Sequence, residues 1–65
     1  MKKITENIAL GEPITNLMDL QRLSKEGKSV ILHRGYRYEI RPAAFYFYWP
    51  LAQLMNCNFY YSIKL

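Results

Sequence analysis

Apolar and polar positions change rhythm along the chain, and each change marks an element. Leu17, Leu20 and Leu23, with Met18, recur at the spacing of one helical face. Thr15 or Asn16 offers an oxygen to the free amides of a first turn, and Asp19 lies where the helix dipole favours an anion. Arg22 and Lys25 fall near the opposite end, and Gly27 suits the left-handed position that closes a helix. The pattern predicts an amphipathic helix over 16–26. Lys28 to His33 carries the β-favouring run Val30-Ile31-Leu32 and predicts a strand. Arg34-Gly35 offers a reversal, with glycine free to take positive φ. Tyr36, Tyr38 and Ile40 then alternate with Arg37, Glu39 and Arg41, an apolar side and a charged side at period two. This is a hairpin partner or an extended loop.

The aromatic run after Pro42 fits a strand over 43–48, with Phe45, Phe47 and Trp49 on one side and Tyr46 and Tyr48 on the other. Pro50 pre-sets a first helical turn, and Leu51, Leu54 and Met55 predict a short helix over 50–57. In the last segment Phe59, Tyr61, Ile63 and Leu65 face one way while Tyr60, Ser62 and Lys64 face the other, a strand over 59–65. Residues 1–13 end at Gly11-Glu12-Pro13 and read as an N-terminal arm or short element, leaving 14–65 as the core. The sum is a single α+β domain: a three- or four-stranded, mainly antiparallel sheet with two short helices on one face. The link between 43–48 and 59–65 is about as long as a parallel crossover requires, so the direction of that pair stays open.

Composition narrows how such a domain holds together. A chain of 65 residues buries about 60% of its unfolded surface, a thin margin. Cys57 is the sole cysteine and His33 the sole histidine, so neither an internal disulfide nor a zinc set is expected, and no cofactor is implied. One Trp, six Tyr and three Phe supply an aromatic core; self-association is the other route to stability. The net charge of +4 attracts anionic partners without defining a fold. Pro42 to Ile63 holds no charged residue, nominally enough to span a bilayer, but Pro50, Gln53, Asn56, Asn58 and Ser62 interrupt it and no membrane association is expected. Thr5, Glu6 and Asn7 break any apolar signal after Lys2-Lys3, which with one free cysteine points to a reducing compartment.

No catalytic arrangement emerges, and an enzyme is not expected. His33 has no nucleophile near it in sequence, and Glu6, Glu12, Asp19, Glu26 and Glu39 are scattered. Gly27-Lys28-Ser29 resembles the tail of a phosphate loop but lacks the upstream glycine. Two surface sets remain. Lys28, Arg34, Arg37 and Arg41, with Lys64 and the interleaved Tyr36 and Tyr38, combine cations with flat rings. Single-stranded nucleic acid is held that way, and arginine and tyrosine are also the residues enriched at protein interfaces. The second set is Tyr46, Tyr48 and Tyr60, expected together on the sheet face away from the helices. There they would form an interaction site, or be covered by the N-terminal arm or a second copy.

The run Glu26-Gly27-Lys28-Ser29-Val30-Ile31-Leu32, followed by Arg41-Pro42-Ala43-Ala44-Phe45, a short helix and an aromatic final strand, resembles small phage and prophage accessory proteins. The resemblance covers residues 17–65, and it departs from the pattern in the Tyr- and Arg-rich segment 34–40 and at Asn58, where a glycine is expected. It implies a small protein in the cytoplasm of an infected or lysogenic bacterial cell, acting by stoichiometric binding to a host or phage protein, and assigns no functional residue. The expectation is a non-enzymatic protein-binding module, inhibiting or modulating a host protein through Arg34, Tyr36, Arg37, Tyr38, Arg41, Tyr46, Tyr48 and Tyr60. The alternatives are nucleic-acid binding through the same basic and aromatic set and a self-associating structural subunit, a homo-oligomer.

Overall fold

The computed structural model describes residues 2–65. Its elements run β1 (Ile8–Ile14), α1 (Leu17–Lys25), β2 (Ser29–Arg34), β3 (Arg37–Pro42), α2 (Ala43–Tyr46), α3 (Leu51–Met55) and β4 (Asn58–Lys64). Asn16 starts α1: its backbone is extended and its side-chain oxygen accepts the Met18 N–H at 2.9 Å. Two bonds close the helix. The Lys28 N–H donates to the Leu23 carbonyl at 2.9 Å and the Gly27 N–H to the Ser24 carbonyl at 3.2 Å, with Gly27 at φ +70°. The chain passes straight from this cap into β2 and reverses over Gly35-Tyr36. Gly35 alone takes positive φ there (+64°), as a two-residue type II′ turn requires.

The strands form one sheet in the order β1-β4-β2-β3, and every neighbouring pair is antiparallel. Directly paired residues share a face. Val30 and Leu32 pair with Tyr61 and Phe59, and these four face the helices. Leu20 and Leu23 of α1, Ala43 and Tyr46 of α2 and Leu54 of α3 close the core over them, with Ile14, Trp49, Cys57 and Tyr61 at its margin. Cys57 serves as a small apolar group. The architecture is thus a small α+β domain with its helices on one side of an antiparallel sheet.

Three short helices are present where two were expected, because residues 43–48 are not a strand. Pro42, paired with Ser29, is the last residue of β3; the Ala43 N–H still donates to the Lys28 carbonyl at 2.8 Å, and from there the chain turns into a helix. A helical turn then sends Ala43 and Tyr46, three positions apart, into the core together; a strand would have sent them to opposite faces. Tyr46 is 0% exposed and meets Phe59, Trp49 and Phe45 edge-on, at centroid distances of 5.0, 4.9 and 5.3 Å.

The segment expected to end at Gly11-Glu12-Pro13 continues through it as β1. The register passes from Leu10↔Ser62 to Pro13↔Tyr60, so one extra residue is accommodated as a bulge. Outside β1 the chain doubles back. The Ile4 N–H donates to the Ile8 carbonyl at 2.9 Å, the Leu10 N–H to the Lys2 carbonyl at 2.7 Å, and Lys3 bridges Ala9. From this outermost position Lys2 Nζ still reaches Tyr38 Oη on β3 at 3.1 Å. Strands about 4.8 Å apart in a flat sheet would hold those residues beyond the reach of two side chains. The sheet therefore coils, bringing its edges together across the face away from the helices. On that face Ile31, paired with Ile40 and Tyr60, is fully buried although no helix covers it.

Candidate interaction surface

The β2–β3 hairpin gathers part of the expected contact set on its helix-facing side. Arg34 and Arg37 pair directly across the turn, Leu32 pairs with Glu39 and Val30 with Arg41, so Arg34, Arg37, Glu39 and Arg41 share one face. Opposed guanidiniums repel, and Glu39 relieves this by accepting from Arg34 Nη2 at 3.4 Å. Arg37 and Arg41 have no carboxylate partner among the described residues. The Arg34 guanidinium lies 5.7 Å from the Trp49 ring centre and that of Arg41 lies 4.8 Å from Phe45. Tyr36, 92% exposed, projects from the turn beside them. The roles of Phe45 and Trp49 were not legible in advance: a strand over 43–48 would have kept both off the charged edge.

The other expected contact residues separate. Tyr46 leaves the surface altogether, since the helical turn of α2 carries it into the core. Tyr48 is exposed in the turn between α2 and α3, and Tyr60 lies half-buried on the face away from the helices, so no shared tyrosine face exists. Tyr38 sits on that same far face, its ring stacked on His33 (4.4 Å, 9°) and covered by Lys2 Nζ at 4.5 Å. It is occupied by the protein itself. Lys28 and Lys64 lie away from the turn, lining a shallow depression with Ser29 and Ser62. Lys28 is also 3.7 Å from Glu26.

Burial raises the Tyr46 phenol above its ordinary 10.0, and the nearby Glu39 carboxylate adds to the shift. Its oxygen has no hydrogen-bond partner among the described residues. No group of three or more His, Cys, Asp or Glu among the described residues is placed to hold a metal. The hollow between the start of α1 and α3 holds about 220 Å³ and is open on one side, below the range of ordinary small-molecule sites. No helix of the described residues is long and apolar enough to cross a membrane.

The fold and this strip define a small α+β domain with a basic, aromatic-backed hairpin at one end of its sheet. Compared with family models, curated proteins and solved structures, the chain matches none of them.

Proposed function

We propose that the chain is a non-enzymatic protein-binding module of the phage accessory type, working in the bacterial cytoplasm by stoichiometric contact with a host or phage protein. Its contact surface is the β2–β3 hairpin, with Arg34, Tyr36, Arg37 and Arg41 as contact residues and Phe45 and Trp49 behind them. The observation that carries this reading is the pairing of two guanidiniums with aromatic rings beside the exposed Tyr36. Stacked arginines lose less freedom on contact, and arginine and tyrosine anchors dominate interface energetics. A single-stranded nucleic-acid site needs several open ring faces, and Tyr38, the tyrosine interleaved with these arginines, is already stacked and capped.

The immobilised chain should recover a protein from bacterial lysate in stoichiometric amount. Tyr36→Ala and Arg37→Ala should each weaken that capture by more than about 1 kcal/mol without altering the fold. Recovery of nucleic acid in place of protein, with affinity falling steeply as salt rises, would overturn the reading. Capture that survives both substitutions would move the contact elsewhere.

A further inference from the structure

We infer that the open edge of β3 accepts an extended acidic segment of the partner as an added strand, with acidic residues placed four apart. The inference rests on the contact surface proposed above and names how the partner is held.

Two edges bound the sheet, and they differ. The outer side of β1 is taken by the backbone of Lys2–Ile4. Nothing among the described residues bonds to the outer side of β3. Because Arg34 and Arg37 close a two-residue turn, their amides and carbonyls face each other, and the alternation continues through Glu39 and Arg41 toward β2. The Ala43 N–H, donating to Lys28, keeps the same parity. The N–H and C=O groups of Tyr38 and Ile40 therefore point outward, an uncovered row for strand addition.

Charge selects what fits that row. A strand laid beside β3 sets one residue next to Arg37, another next to Glu39 and a third next to Arg41, all on the helix-facing side. Glu39 is already engaged by Arg34, whereas Arg37 and Arg41 have no carboxylate partner among the described residues. Complementarity thus calls for an acidic residue at each end of this triplet and a neutral one at its centre. The two intervening positions lie beside Tyr38 and Ile40 on the other face and favour apolar side chains. A second copy of β3 fits poorly. Centred on Glu39 it would set Arg37 against Arg41 twice, and shifted either way it would meet Pro42, which has no N–H, or the turn at Tyr36.

The probe is the capped peptide Thr-Asp-Val-Thr-Val-Asp-Thr, followed by amide chemical shifts and hydrogen exchange. In the free chain the Tyr38 and Ile40 amides should exchange faster than those of Glu39 and Arg41. Saturating peptide should protect Tyr38 and Ile40. Replacing both aspartates with lysine should weaken binding at least about tenfold, and the double substitution Arg37→Glu with Arg41→Glu should reverse that preference. Methylating the two valine amides should abolish protection. No shift along β3, or binding indifferent to amide methylation, overturns strand addition. Concentration-dependent protection of the same amides without peptide would make a second copy the occupant and overturn the acidic partner. If lysate capture depends on Tyr36 and Arg37 while the captured protein leaves the Tyr38 and Ile40 amides unprotected, the contact surface stands and the strand does not.

Discussion

Tyr46 places a hydroxyl in the core without a described partner, and its ring packs against three aromatic neighbours. A buried hydroxyl left unbonded costs about 1–3 kcal/mol. Tyr46→Phe should therefore hold stability or raise it by about 1 kcal/mol, whereas Tyr46→Ala should lose about 3–5 kcal/mol to the cavity. Urea unfolding of both variants measures this. A loss above about 1 kcal/mol in the phenylalanine variant would mean that the hydroxyl is bonded within the fold. Alkaline pH adds a second reading. Burial, with Glu39 beside it, raises the folded phenol above its ordinary 10.0. The unfolded chain then releases that proton first as pH rises, so Tyr46's share of stability is whole below the unfolded value and is lost from there up through the folded one. The wild-type chain should lose stability more steeply than Tyr46→Phe over that range.

At the scale of elements, Gly11 and Gly27 serve different ends. A Cβ on Gly11 would lie 2.6 Å from the Tyr61 carbonyl oxygen and 3.1 Å from Ile63 Cγ1, so β1 must move away from β4 to admit it. A Cβ on Gly27 meets nothing within 4 Å and suffers only from its positive φ. Gly11→Ala should cost about 2–3 kcal/mol and speed amide exchange along β1, while Gly27→Ala should cost about 1 kcal/mol and leave β1 unchanged. Equal effects, or undisturbed β1 amides in Gly11→Ala, would contradict the close approach. The same contrast explains what could be read beforehand. The cap, face and stop of α1 all agree locally, and β4 alternates over its whole length, so both were legible. The strand over 8–14 was hidden because glycine and proline read as an ending where they mark a bulge. Residues 43–46 were hidden because aromatic density suits either a strand or a helix; the decision lay in the room for Ala43 and Tyr46 beneath α1, which only a helical turn after Pro42 fills with both. The arginines of the hairpin were visible as a cluster. Their aromatic supports, and the removal of Tyr46 from the surface, depended on that one unread helical turn.

For the whole molecule, the treatment of the two sheet edges decides whether the chain stays apart from its copies. β3 is guarded by Arg37 and Arg41, a common defence of an open edge. β1 carries Ile8 and Leu10 on the face away from the helices, with no charged residue of its own from Asn7 to Gly11, and is covered instead by the returning segment Lys2–Ile4. A chain beginning at Asn7 would expose the outward N–H of Leu10 and the carbonyl of Ile8, and would release Tyr38 from Lys2. Each lost hydrogen bond contributes about 0.5–1.5 kcal/mol, offset by the freedom the removed residues no longer surrender. A net loss of about 1–2 kcal/mol should follow, against the roughly 3–10 kcal/mol expected of a domain this size. The urea midpoint should fall accordingly. Sedimentation at matched concentration should show the shortened chain associating where the full chain does not, because the newly opened stretch Ile8–Leu10 carries no charged side chain of its own. Should the shortened chain stay monomeric and equally stable, the returning segment would be ornamental to the sheet, and the burial of Ile31 would have to come from the coiling of the four strands alone.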